Sequence, residues 1–281
     1  MAKKWIQGKR IVLSGASGGL GFAIAKLLID KYDCDVLGIA RNEQKLLANR
    51  ELLGDKKDKF TYKLFDVSVK KNWDDFANEL LEQNIIPDVL INNAGFMLPF
   101  AKLEYLNEQD IDEIVKTNLM SCVYSAKAFI PLLKKSKTPA IINVSSAAGL
   151  CPVVGESMYC LTKFGVRGFT ESLIQEYKGQ IYVGGVYPGF IKTDLMKRME
   201  IADKNNGIID KFMMPVEKAA LKTVNGIVSK KKRIVMGFDG TTMHNLYKLM
   251  PHATPSIVTS VLKASKLEMF EKVFEYKEKK Q

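Results

Sequence analysis

Lys9-Arg-Ile-Val-Leu-Ser14 runs directly into Gly15-Ala-Ser17-Gly-Gly19-Leu20-Gly21, and that into Phe22-Ala-Ile-Ala-Lys-Leu-Leu-Ile29. A short apolar run, a glycine turn and a breaker-free stretch with helical spacing predict strand, turn and helix in immediate succession. A turn in that context can receive a dinucleotide pyrophosphate. Gly15 permits the tight turn, Gly19 lets backbone N–H groups approach the phosphates, and Gly21 allows helix and strand to pack closely. The helix N-terminus adds about half a positive charge.

The strand-then-helix pattern repeats downstream. Asp35-Val-Leu-Gly-Ile-Ala40 reads as a second strand, ending in Ala40-Arg41-Asn42. An acidic residue at this strand end binds the adenosine ribose 2′-OH and repels a 2′-phosphate. Here the slot holds Ala40 followed by Arg41, whose fixed charge and forked donors suit phosphate. NADP(H) is therefore the expected cofactor ahead of NAD(H), the alternative being that Arg41 stacks on adenine with either one. Phe60-Thr-Tyr-Lys-Leu-Phe65 is a third strand, ending at Asp66-Val67, where a carboxylate can reach the adenine amino group. Residues 69–83 read as an amphipathic helix. Pro87-Asp-Val-Leu-Ile91 is a fourth strand running into Asn92-Asn93-Ala94-Gly95, a buried strand with a small, amide-bearing end that suits the centre of a parallel sheet. Residues 104–135 form one or two helices. Asn118 lies inside their apolar stretch Ile114-Val-Lys-Thr-Asn118-Leu-Met120, so it is either a hydrogen-bonded structural amide or part of a proton path.

Ala140-Ile-Ile-Asn-Val-Ser145 reads as a buried strand with Ser146 at its end, and Tyr159 and Lys163 follow. Four residues apart on a helix, Tyr159 and Lys163 share one face. A phenol near pKa ~10 is a poor acid–base group at neutral pH, and an adjacent ammonium favours its phenolate. Unit charges ~4 Å apart interact by up to ~4 kcal/mol at an effective dielectric of 20, enough for a shift of a few units. A hydroxyl at Ser146 can hold a substrate oxygen while Tyr159 exchanges its proton.

In order along the chain, Ser14-Gly-Ala-Ser-Gly-Gly-Leu-Gly21, Asp66-Val67, Asn92-Asn-Ala-Gly95, Asn118, Ser146, Tyr159-x-x-x-Lys163 and Pro188-Gly-Phe-Ile-Lys-Thr193 resemble the short-chain dehydrogenase/reductase family over residues 8–237. The resemblance implies a Rossmann-type, doubly wound α/β fold with a mainly parallel seven-stranded sheet and helices on both faces. It also implies that Tyr159 is the general acid/base, that Lys163 lowers its pKa and binds the nicotinamide ribose, that Ser146 orients the substrate, and that Asn118 holds a relay water. Cofactor contacts carried over are Gly15, Ser17, Gly19, Leu20, Gly21, Arg41, Asn42, Asp66, Val67, Asn93, Ala94, Gly95, Pro188 and Gly189. Ile191 and Thr193 would meet the nicotinamide amide. Ser14 stands for the usual threonine and keeps its hydroxyl. Gly18 stands where many NADP-dependent members carry a second basic residue.

Apolar residues gather where the substrate would enter. They are Phe96-Met-Leu-Pro-Phe100, Leu150-Cys-Pro-Val-Val154, and Leu195, Met196, Met199, Ile201, Ile208, Ile209, Phe212, Met213 and Met214. Either these form a wide apolar pocket or they pack lid against body. The expected function is hydride transfer between NADP(H) and a ketone or secondary alcohol on a bulky apolar substrate, such as a steroid, bile acid or acyl ketone, as in lipid metabolism. A non-catalytic dinucleotide-binding sensor is the alternative.

With 281 residues the chain can bury a core without a metal or disulfide. Cys34, Cys122, Cys151 and Cys160 form no C-x-x-C pair, and with only His244 and His252 a zinc site is not expected. The thiols suit a reducing cytoplasm. No RNA or DNA motif accompanies the net charge of +11, so no nucleic-acid partner is expected. Over residues 230–281 eleven Lys/Arg stand against five Asp/Glu, a net +6. Residues 1–240 are expected to be the dinucleotide-binding and catalytic domain, with residues 241–281 a helical extension packed on it. Within that extension Thr241–Met250 reads as a short helix, Pro251 to Pro255 as a break, and Ser256–Tyr276 as one amphipathic helix. That helix would cover the substrate mouth, join subunits of a homodimer or other homo-oligomer, or rest peripherally on a membrane.

Overall fold

The computed structural model describes residues 4–192 and 213–274. Thr193, the apolar residues from Leu195 to Phe212, and the end of the expected last helix lie outside them. Seven strands form one sheet: β1 (Arg10–Ser14), β2 (Asp35–Ala40), β3 (Phe60–Leu64), β4 (Val89–Asn92), β5 (Ala140–Val144), β6 (Tyr182–Pro188) and β7 (Arg233–Met236). Their order is β3-β2-β1-β4-β5-β6-β7, and every neighbouring pair is parallel. Parallel neighbours require helical crossovers, and here those cover both faces. They are α1 (Gly19–Tyr32), α2 (Glu43–Glu51), α3 (Lys70–Glu82), α4 (Glu108–Val115), α5 (Ser121–Leu133), α6 (Ser157–Glu176) and α7 (Val216–Val228).

Strand alternation divides the core in two. Ile11 and Leu13 of β1, Val89 and Ile91 of β4, and Ala140, Ile142 and Val144 of β5 point into one apolar layer, with α1 and α7. Val12, Leu90 and Ile141, the residues between them, point into the other with α3 and α5. That is why these strands read as unbroken apolar runs. In the second layer Trp73 meets Phe65 and Phe129 edge-on at 5.1 and 5.9 Å and donates its indole N–H to the Val67 carbonyl at 2.9 Å. The strand order reverses between β1 and β4, where an open parallel sheet leaves a crevice for a ligand.

β6 and α2 were not anticipated by the sequence reading. β6 contains Gly184 and Gly185 and lacks a continuous branched run, so its pairing with β5 and β7 is what makes it a strand. The C-terminal segment also differs from expectation. It forms α8 (Phe238–Leu249) and α9 (Ala253–Ser265), with Pro255 in the first turn of α9, where no N–H is needed. The expected single helix breaks at Lys266, which is left-handed at φ 51°. The chain turns there so that α10 (Glu271–Phe274) and the turn before it meet the body. Phe270 and Val273 are buried against Phe100, with Phe100 and Phe270 edge-to-face at 4.7 Å. Ile257 and Val261, within the span expected to be one amphipathic helix, stay exposed.

Candidate active site

One cavity of about 390 Å³ runs along the C-terminal edge of the sheet. Its nucleotide end is backbone-built. Gly15 has φ +70°, and a Cβ at Gly21 would sit 2.1 Å from the Gly15 carbonyl oxygen, so both positions need glycine. Ser17, Gly19, Leu20, Asp66, Val67, Asn93, Ala94 and Gly95 line this end with them. The Ser14 hydroxyl accepts from the Asn93 and Ala94 N–H groups at 3.0 and 3.1 Å, tying the ends of β1 and β4 together. The hydroxyl kept in place of the family's threonine does that tying.

Arg41 lines the cavity with its side chain 60% exposed, 3.6 Å from Asp66 Oδ2. An exposed pair at that distance holds Arg41 weakly and leaves its donors available. Lys45 lines the cavity as well. It stands in the first turn of α2, which the sequence reading did not identify, so no signal in the sequence marked this second cation. Asn42 does not line the cavity; its Oδ1 accepts from the Lys45 N–H at 2.8 Å and caps α2.

Ser146, Tyr159 and Lys163 converge on the cavity from β5 and α6. Beneath them lies a fully bonded polar network. Ser125 donates to Asn92, Asn92 to Asn143 at 2.9 Å, and Asn143 to Thr170 at 3.0 Å, which locks α5 and α6 to the central strands. Lys163 Nζ donates to the Val144 carbonyl at 3.2 Å and stands 5.5 Å from the Tyr159 ring centre. Burial pulls the Lys163 pKa down to about 8. Burial likewise pushes the Tyr159 phenol above its ordinary value, opposed by a hydrogen bond from Ser146. The expected lowering by Lys163 does not arise in this arrangement, where the ammonium sits by the ring and a carbonyl and desolvation is the largest cause.

Asn118 stands behind the wall in a π-turn, Lys116–Met120. Its Oδ1 accepts from the Phe96 N–H at 2.9 Å and its Nδ2 donates to the Phe96 carbonyl at 2.7 Å. Of the two readings, the side chain fits the structural amide.

Phe96, Met97, Phe100 and Val153 wall the substrate end, as expected of their segments, whereas Leu98, Leu150 and Cys151 are buried in the body. Pro188, Gly189 and Ile191 line the same cavity. Ile191 bridges to Met214, and Lys192 N–H donates to the Met214 carbonyl at 3.0 Å. The sequence reading missed Glu156 and Asp239, both of which also line the cavity. Asp239 Oδ2 accepts from the Phe190 N–H at 2.7 Å and thereby fixes the Pro188–Ile191 turn from the start of α8.

The family model described as short chain dehydrogenase matches residues 9–204, and the chain belongs to that family. It is 28% identical over 197 residues to an NADPH-dependent pterin aldehyde reductase of Arabidopsis thaliana, covering 69% of this chain and 80% of that one. It is 32% identical over 200 residues to the 3-oxoacyl-(acyl-carrier-protein) reductase FabG of Rickettsia bellii, covering 71% and 79%. The crystal structure of a short-chain dehydrogenase from Streptomyces avermitilis superposes with a TM-score of 0.75 at 22% identity, covering 95% of this chain and all of that one. At that identity the likeness establishes the fold alone.

Proposed function

We propose that the protein is an NADP(H)-dependent oxidoreductase acting on the carbonyl or secondary alcohol of a bulky, largely apolar substrate. The observation that carries the reading is the convergence of Ser146, Tyr159 and Lys163 on the same cavity as the Gly15–Gly21 turn. The residues present fit a dinucleotide. The turn and the N-terminus of α1 would hold the pyrophosphate, Asp66 would meet the adenine, and Arg41 with Lys45 would hold a 2′-phosphate. The bound nicotinamide would supply or take the hydride. Similarity to an NADPH-dependent reductase supports the choice of cofactor.

The protein's own residues manage the proton and the orientation. Tyr159 would exchange a proton with the substrate oxygen, and Ser146 would hold that oxygen in line with it. Lys163 would bind the nicotinamide ribose and bias Tyr159 towards phenolate. Asn118, whose side chain is engaged by Phe96, would hold a relay water. Phe96, Met97, Phe100 and Val153 favour an apolar body such as a steroid, bile acid or acyl ketone. We assign residues 1–240 to the catalytic domain and residues 241–281 to an extension packed on it, which Phe270 and Val273 support.

A screen of the purified protein with NADPH and with NADH against steroid ketones, oxo bile acids, acyl ketones and decalones, and with NADP+ and NAD+ against the corresponding alcohols, tests the reading. Turnover of at least one bulky ketone with NADPH preferred is the expected result. Cofactor binding with no ketone reduced by NADPH or NADH and no alcohol oxidised by NADP+ or NAD+ would overturn it.

A further inference from the structure

Glu156 immediately precedes α6, three residues before Tyr159, and it lines the cavity although it is only 4% exposed. Its Oε1 is buried and has no hydrogen-bond partner among the described residues, nor does any salt bridge among them reach the side chain. A buried polar atom left unpaired costs about 1–3 kcal/mol, so an orphan on a residue that lines a binding cavity is matched to something that arrives there. Phe96, Met97, Phe100 and Val153, which line the same cavity, are apolar and offer it no partner. The position is also rigidly held. Glu156 N–H donates to the Val153 carbonyl at 3.3 Å, its own carbonyl accepts from Cys160 N–H at 2.7 Å, and a Cβ on neighbouring Gly155 would sit 2.6 Å from Val273 of the C-terminal segment.

Resting on the oxidoreductase reading above, we propose that Glu156 is a substrate-recognition residue whose carboxyl donates a hydrogen bond to a second oxygen acceptor on the substrate, remote from the carbonyl that reacts at Tyr159. The substrate class is then a bulky ketone with a second carbonyl, hydroxyl or ether oxygen. A simple hydrocarbon ketone would leave Glu156 unsatisfied. The donor role follows from the surroundings. Burial raises the Glu156 pKa well above the usual carboxylate range, and no cation among the described residues opposes that rise. An ionised Glu156 would also push Tyr159 further from its working range, since its charge raises the phenol's pKa. A neutral acid avoids that conflict and keeps a proton to donate.

The test compares kcat/KM with NADPH for trans-decalone, the matched decalindione with a carbonyl on each ring, and an aminodecalone. The wild type should prefer the dione over decalone. E156L should lower that ratio by about tenfold, the scale set by leaving a substrate group unpaired in a buried site. E156Q, which keeps a donor, should hold the ratio within about threefold. An unchanged ratio in E156L overturns the proposal. So does a wild-type preference for the aminodecalone that E156Q abolishes, because that identifies an ionised carboxylate selecting cations. Thermal protection by the same three compounds, measured without turnover, reads the recognition separately. A dione that protects wild type and E156Q more than E156L, with no ketone reduced, would sustain the role of Glu156 and overturn the oxidoreductase reading instead.

Discussion

Around the pyrophosphate the recognition surface comes from contiguous stretches of backbone, and at the substrate end from side chains of segments far apart in sequence. Gly15 to Gly21 supply one turn, and Asn93 to Gly95 supply a strand end tied to Ser14. Phe96, Phe100, Val153, Glu156, Asp239 and Met243 meet only because β4, β5, α6 and α8 converge. Backbone recognition tolerates change everywhere except where a Cβ would collide. Side-chain recognition depends on each packing contact that holds the segments together. The two ends should therefore fail differently when altered.

The sharpest separation comes from Tyr159→Phe. It deletes a proton at the junction of the two ends and leaves the nucleotide end intact. Turnover should fall by roughly 10²–10⁴-fold, the range for acid–base groups, with the NADPH Kd little changed. Near wild-type turnover would remove Tyr159 from the chemistry.

Phe270→Ala tests whether the substrate end depends on the C-terminal segment. Phe270 is 2% exposed and packs on Phe100, itself part of the cavity wall. Truncating such an aromatic costs about 3–5 kcal/mol, and the substrate KM should rise while the NADPH Kd holds. An unchanged denaturation midpoint and KM would show the segment to be independent of the body.

Lys163→Met turns function against stability. The lysine titrates near 10.5 when unfolded and near 8 when folded, so the folded protein binds fewer protons between those values. Stability should thus rise with pH from about 8 to 10.5, and the cost of burying the ammonium is fully present below about 8. Replacing it should stabilise the cofactor-free protein by roughly 1–3 kcal/mol at pH 7, after the lost bond to Val144 is offset, and flatten that pH dependence. Calorimetry across this window checks both; a destabilised variant at pH 7 would mean that the lysine is better solvated than its burial implies.

The smallest effect belongs to Arg41→Ala, an exposed side chain at the nucleotide end. KM for NADPH should rise by about tenfold and that for NADH hardly at all, because only NADPH carries the 2′-phosphate. A matching R41A/K45A double variant should lose more if Lys45 shares the phosphate. Equal kcat/KM for the two cofactors in the wild type would sink the assignment.

The sequence by itself determined the nucleotide end. A glycine turn between a strand and a helix is a local arrangement, and Gly15, Gly21 and the buried runs of β1, β4 and β5 declare it through backbone geometry and periodicity. Tyr159 and Lys163 were legible for the same reason, since a four-residue spacing fixes a helix face. Tertiary structure decided what depends on burial and distance. β6 became a strand through its neighbours, and the C-terminal helix broke at Lys266 because Phe270 and Val273 bury against Phe100. Lys163 lies against the ring of Tyr159 and the Val144 carbonyl, and desolvation is the largest cause of both pKa shifts. Glu156 had no signal in the sequence, because a glutamate before a helix is ordinarily solvated. Only its burial at the cavity, with Oε1 lacking a hydrogen-bond partner among the described residues, makes it a candidate for recognition.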